Sequence, residues 1–458
     1  MFLFTKPLAI GAMAIALLSS SSEARARGGG LEAKLKSMGS HVSAMVVNLA
    51  TGEKVLQVNP SSPMNPASSI KLFTAYTALK RLGTNHTFKT SVFVNNSGAI
   101  CVKGGGDPSF VMEDLYLVVE QLKRKGIESY SGAITLDASV YDDELYPEGR
   151  GDQDSERAYN APIAGLNFNY NTITVFVNPR GKGEPAYVGL DYPFDFVKVN
   201  GKVTTGSGTD VTWDKKGKGD QEIVTIGGKI AAHADEWHKP FRIRNPSMAF
   251  GEAFSKQLKM AGIGPKSAVT VKTGKCSSSA DADVVYESKP LSFVVQLMDK
   301  YSNNFIADSL IKTLDHEVNQ RQGTAEGGLK IVRADMKSIG IDLSSNGRNM
   351  QSGSGLTRDN RASASDFVAL LTKVYHEKLY LPELLTSLPI AALDGTLKRK
   401  YGGTPAALRL RGKTGTLDGV QSLVGVYPND KGEYLAVAVI TNGATIPEKE
   451  LGEFLGGL

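Results

Sequence analysis

Cysteine is almost missing from this chain: Cys101 and Cys276 are the two thiols in 458 residues. Two cannot build a disulfide scaffold, and although export would permit a bond between them, nothing in the sequence brings them together. Long apolar runs are missing as well. Beyond the N-terminal stretch no segment approaches the ~18 apolar residues of a membrane-spanning helix, so no transmembrane anchor is expected. The formal charge is a modest +5, and no dense basic cluster with interleaved aromatics argues for a nucleic-acid partner. Six histidines show neither zinc-ligand spacing nor a clear triad, and no metal or cofactor is expected. Gly412-Lys413-Thr414 is not a phosphate loop, because Ala407 stands where the earlier glycine would be. No complete Gly-x-Ser-x-Gly surrounds Ser354. Internal repeats of about 20 to 50 residues are absent too.

What is present starts with an export signal over Met1 to Ala26. Lys6 supplies the positive end, Pro7 to Leu18 the apolar core, and Ala24-Arg25-Ala26 the small-x-small cleavage site. The expected product is a soluble exported protein, periplasmic or cell-wall associated. Its length predicts two or three domains. Leu31 to Met38 is a short helix candidate, followed by a hairpin in which Val42 to Asn48 alternates, Ala50-Thr51-Gly52 turns and Lys54 to Val58 returns. From about Lys89 to Lys275 the texture is short strands and glycine-rich turns, such as Ala133 to Asp137, Thr172 to Asn178, Val203 to Thr212 and Glu222 to Ile226. Leu291 to Leu314 and Ala362 to His376 have helical periodicity. A three-stranded meander closes the chain: Ala407 to Thr414, Val420 to Tyr427 and Tyr434 to Thr441. Strands at both ends predict one antiparallel sheet closed by the termini and interrupted by a mostly β insert.

The chemistry is centred on Met64 to Tyr76, where Ser68 precedes Lys71 by three residues at the start of a helix running to Leu82. Apolar residues on more than one face predict that this helix is buried. Positions i and i+3 share a face, so the Lys71 amine lies beside the Ser68 hydroxyl. A desolvated lysine favours its neutral form, which can take the proton a nucleophilic serine must lose. Alone, the pattern also describes a capping serine and a surface lysine, and it recurs at Ser309 and Lys312. Its company decides. Ser302-Asn303-Asn304 follows in a helical stretch, and Lys413-Thr414-Gly415-Thr416 lies on the first strand of the meander. Ser302 can relay a proton to the leaving amine, and Asn304 can hold Lys71 and the substrate amide. Lys413 adds positive charge that favours neutral Lys71 and attracts an anionic substrate end. Thr414 can bind a carboxylate, and Gly415 leaves a peptide room along the strand edge. Lys272-Thr273-Gly274 is a decoy that precedes Ser302 and reads as running into a Cys-Ser-rich loop rather than a sheet. Ser344-Ser345-Asn346 is a second, set in a turn.

Ser-x-x-Lys, Ser-x-Asn and Lys-Thr-Gly in this order form the signature of penicillin-binding proteins and class A β-lactamases. The chain resembles in particular the class C low-molecular-mass penicillin-binding proteins, D-alanyl-D-alanine carboxypeptidases and endopeptidases. Gly105-Gly106-Asp107-Pro108, Leu166 to Asn171, Gly353 to Arg358, Leu388-Pro389-Ile390-Ala391 and Asp394-Gly395-Thr396-Leu397 also carry the resemblance. Ser352 departs from it, standing where the family usually has an acid.

The resemblance implies an α/β fold of the α+β kind: a transpeptidase/β-lactamase-like domain with an antiparallel sheet flanked by helices, formed by residues 27–88 and 277–458, with a β-rich insert over 89–276. It implies the N–H groups of Ser68 and Thr416 as oxyanion donors. The substrates it implies are peptidoglycan stem peptides ending in D-Ala-D-Ala, or D,D cross-links, with β-lactam antibiotics as inhibitors. Asp137 and Arg358 resemble the family's pair for a diaminopimelate side chain, although Asp137 also suits a turn after a strand and Arg358 a structural salt bridge. The expected reaction is a two-step acyl transfer through Ser68. A serine β-lactamase and a non-catalytic penicillin-binding or wall-sensing protein of the same fold are the alternatives.

Overall fold

A computed structural model describes residues 30–150, 155–218, 221–277 and 281–458. The leader read over Met1 to Ala26 lies outside them. The chain forms two compact units. One comprises residues up to Thr77, Val295–Ser302 and Val332–Leu458, and the other Ala78–Val294 and Asn303–Ile331. The division thus falls inside the Lys71–Leu82 helix, ahead of the change of texture at Lys89.

The first unit is built on a five-stranded sheet with the order Arg411–Leu417, Val420–Pro428, Tyr434–Asn442, Val42–Asn48, Lys54–Val58. Every neighbouring pair is antiparallel. The N-terminal hairpin and the C-terminal meander join where Val42 faces Thr441 and Val46 faces Val437. Although its sequence alternates, all seven residues of Val42–Asn48 are buried. The strand is central and covered on both faces, so even its polar positions lose water. Val42, Ala44 and Val46 enter a core with Leu423, Val437, Val439 and Phe454. Between them Ser43 turns the other way and accepts the Ala364 N–H at 3.0 Å, at the start of the Ala364–Glu377 helix. Each fully buried Val or Leu contributes roughly 1.5–3 kcal/mol.

Two segments depart from the sequence reading here. The strand expected from Ala407 begins at Arg411, because Leu408 has a left-handed φ of 63° and turns the chain. The helix expected over Leu291 to Leu314 is two helices, Leu291–Lys300 and Asn304–Asn319. Ser302 sits in the break with φ 55°, and Asn303 caps the second helix by accepting the Ile306 N–H at 3.1 Å. Ser302 therefore lies between helices and not within one.

The second unit contains a five-stranded sheet in the order Thr270–Thr273, Ala133–Asp137, Ile100–Lys103, Lys89–Val94, Val284–Glu287, with further three- and four-stranded sheets. Cys101 and Cys276 are joined by a disulfide with Cα atoms 5.8 Å apart. Two helices, Met112–Arg124 and Pro246–Met260, lie in a region whose sequence reads as strands and turns. Leu115, Val118, Val119 and Leu122 occupy one face of the former at helical spacing. Lys272 and Thr273 correct the reading of their tripeptide: they lie on a strand paired in parallel with Ala133–Asp137. Among the described residues no helix is long and apolar enough to cross a membrane.

Candidate active site

Pro66 ends an irregular approach, Ala67 takes a left-handed φ of 45°, and Ala67–Ile70 makes a single 3-10 turn that runs into the Lys71–Leu82 helix. Non-glycine residues in that region are strained, and Ala67 and Ser302 both hold it beside the groups of interest. The approach is fixed by side chains: Asn65 Oδ1 accepts the Ala67 N–H at 2.8 Å, and Asn65 Nδ2 donates to the Thr357 carbonyl at 3.0 Å. Residues 71–79 of the helix are buried, and Phe73 stacks on Phe367 with centroids 4.7 Å apart. The face that carries Lys71 is therefore dry.

Ser68 is half-buried and Lys71 wholly so. Lys71 Nζ is 3.0 Å from Ser68 Oγ and also donates to the Ser354 carbonyl. A second lysine is equally deep. Lys413 Nζ donates to Ser302 Oγ at 2.8 Å and to the Thr414 carbonyl at 2.7 Å. The strand that carries it is bound to the Ser68 turn through hydroxyls: Ser69 Oγ meets Ser422 Oγ at 2.7 Å, and Ser422 Oγ donates to the Pro66 carbonyl at 2.6 Å. Thr414 is half-buried and its hydroxyl donates to Thr396 Oγ1 at 2.7 Å; Gly415 is buried and Thr416 exposed.

Ser68, Lys71, Ser302, Lys413, Thr414, Gly415, Thr416 and Arg358 all belong to the first unit. Asn304 and Asp137 belong to the second. Asn304 opens the Asn304–Asn319 helix and donates to the Tyr159 carbonyl at 3.2 Å. Asp137 is buried, with Oδ1 accepting the Ser139 N–H at 3.0 Å and Oδ2 the Cys276 N–H at 2.9 Å. Burial opposes its ionisation, but hydrogen bonds from Ser139 and Cys276 outweigh that and hold the carboxyl below the usual aspartate value. Arg358 is exposed and donates to the Asp418 carbonyl at 2.7 Å.

Ser352 does locally what an acid would: its Oγ accepts the N–H groups of Ser354 and Gly355, both at 3.2 Å. That places the Ser354 carbonyl which receives Lys71. Ser309 and Lys312, the chance repeat of the serine-lysine spacing, are buried in mid-helix, and Lys312 is bound to Asp142 and the Glu144 carbonyl.

One residue of the site escaped the sequence reading. Asp299 is fully buried near the end of the Leu291–Lys300 helix, where its Oδ2 accepts the Ser387 hydroxyl at 2.9 Å. Burial pushes its carboxyl above the usual value, against the charges of Lys413 and Lys71 and the Ser387 hydrogen bond. Burial also pushes Lys413 below the ordinary lysine value, against Asp299. An acid following Met298 and preceding Lys300 reads as a solvated helix face, so only packing reveals it.

A half-exposed serine beside a buried lysine, with a second lysine and serine on an adjoining strand and helix break, defines a serine hydrolase of the acyl-transfer kind. A family model described as D-Ala-D-Ala carboxypeptidase 3 (S13) matches residues 31–453, and the chain belongs to that family. It is 29% identical over 424 residues to a D-alanyl-D-alanine carboxypeptidase from Actinomadura sp. (strain R39), covering 88% of this chain and 78% of the relative. The D-alanyl-D-alanine carboxypeptidase DacB of Haemophilus influenzae is 26% identical over 426 residues, covering 90% and 87%. The crystal structure of penicillin binding protein 4 (dacB) from H. influenzae superposes with a TM-score of 0.75 at 25% identity, covering 91% of this chain and 94% of that one. A complex of that protein with a β-lactam superposes at 0.70.

Proposed function

We propose that this chain is an exported serine D,D-peptidase that cleaves peptidoglycan stem peptides through an acyl-enzyme on Ser68. The observation that carries the reading is the 3.0 Å separation of Lys71 Nζ and Ser68 Oγ in a dry setting, with Lys413 held on Ser302. Lys71 takes the hydroxyl proton as Ser68 Oγ attacks the penultimate D-Ala carbonyl, and the N–H groups of Ser68 and Thr416 receive the oxyanion. The C–N bond then breaks, Ser302 passes a proton to the departing amine, and water hydrolyses the ester to free the serine. Lys413 and Thr414 bind the terminal carboxylate. Arg358, exposed at the same unit's surface, suits an anionic end of the stem peptide. Export is supported by the leader-like N-terminal sequence, and β-lactam sensitivity by the likeness to a protein solved with such a drug.

Intact-protein mass spectrometry after benzylpenicillin tests the assignment. One adduct is expected, on Ser68 and absent from Ser68→Ala; labelling that survives that substitution overturns it. Lys413→Ala should abolish labelling and Lys272→Ala leave it unchanged. Rapid turnover of a chromogenic cephalosporin would shift the assignment to a β-lactamase. Digestion of purified sacculi would then report whether terminal D-Ala, cross-linked peptides or both are cut.

A further inference from the structure

The first unit buries a carboxylate, Asp299, as well as two lysines, Lys71 and Lys413. Asp299 is 0% exposed, and Oδ1 has no hydrogen-bond partner among the described residues. A buried carboxylate left half unsatisfied persists where cations offset it. The charge that reaches Asp299 most strongly is Lys413 on Arg411–Leu417, and Lys71 on Lys71–Leu82 adds a lesser one whenever it carries its proton. Ser387, closing the Leu381–Ser387 helix, contributes a neutral hydroxyl. Lys300, the next residue on its own helix, is turned to Asp394 at 2.5 Å and so is not its partner. The Asp299 carbonyl accepts the Ser302 N–H at 3.4 Å, which ties the residue to the left-handed turn whose hydroxyl receives Lys413.

We propose that Asp299 is a positioning residue of this site: its carboxylate is the counter-charge that keeps Lys413 cationic and aimed at Ser302. The proposal rests on the Ser68 acyl-enzyme reading for its consequence in catalysis, though not for its electrostatics. Without that charge only the neutral acceptors Ser302 and Thr414 oppose the desolvation of Lys413, whose proton is then lost at lower pH. The Ser302 hydroxyl would lose its donor, and an anionic substrate end its attraction.

Asp299→Asn separates the two questions. Lysine 13Cε NMR, with the Lys413 signal assigned through Lys413→Arg, should show the Lys413 midpoint falling by at least about one pH unit. The alkaline limb of benzylpenicillin acylation should fall with it. A midpoint unmoved in a folded Asp299→Asn protein overturns the proposal. Ser387→Ala, a milder change, removes the hydrogen bond that favours the Asp299 anion and should move the acid limb of acylation to higher pH. Should Asp299→Asn not fold, an acid limb unchanged by Ser387→Ala overturns the proposal instead. Absence of any Ser68 adduct in the unsubstituted protein would defeat the acyl-enzyme reading alone, since the NMR titration needs no turnover.

Discussion

A methyl group on Gly415 would lie 2.5 Å from the Pro66 carbonyl oxygen, 2.9 Å from the Ser68 nitrogen and 2.3 Å from Ser422 Oγ. Two of those atoms are backbone of the turn that carries Ser68, so this glycine is needed first for the strand to reach Ser68, whatever room it also leaves a peptide. Gly415→Ala should cost about 1–3 kcal/mol of stability. If Ser68 is acylated as proposed, the substitution should slow acylation by about 100-fold, because a displacement on the order of an ångström at the reacting atom has that effect. Thermal unfolding and the rate of benzylpenicillin labelling check the two numbers; a wild-type rate would mean the turn gives way harmlessly. The meeting of Lys71 with Ser68 was legible because three-residue spacing encodes it, whereas Ser302 and Lys413 were singled out by short motifs and brought together by the fold. Asp299 was not legible, because the groups that meet it, Ser387, Lys413 and Lys71, come from elements distant in sequence. Asp137 was named from the sequence, but its engagement by Cys276 depends on the folded sheet.

Elements were readable where one period persisted. The hairpin Val42–Asn48 and Lys54–Val58 has the limits its sequence suggests, and so do Ala133–Asp137 and Thr172–Asn178. Failures came where a single residue overrides a periodic run, as Ser302 and Leu408 do by adopting positive φ. Met112–Arg124 failed for a different reason: its helical stripe was present but surrounded by glycine-rich turns. The Ala364–Glu377 helix shows what a well-marked start contributes. Ser363 Oγ accepts the Asp366 N–H at 3.4 Å while Asp366 Oδ2 accepts the Ser363 N–H at 2.8 Å, a reciprocal cap. Ser363→Ala should lower stability by about 1 kcal/mol and the melting temperature by about 2–4 °C, with acylation at 25 °C unaltered. Calorimetry alongside a labelling assay decides it, and an unshifted melting point would show that the cap is redundant.

At the scale of the molecule, each unit has its own core, and the disulfide and both tryptophans, Trp213 and Trp237, lie in the second. Tryptophan fluorescence therefore reports one unit and penicillin labelling the other. Replacing Cys101 and Cys276 by serine removes a cross-link that spans 175 residues, a loss of about 2–5 kcal/mol. The fluorescence transition should fall in temperature by more than the loss of labelling does; equal shifts would mean that the units melt as one. The pairing of Val42–Asn48 with Tyr434–Asn442 joins segments about 400 residues apart. A ribosome has thus made Ser68 and Lys71 long before it makes Lys413, and the sheet that carries Lys413 is completed only when the last strands emerge and dock.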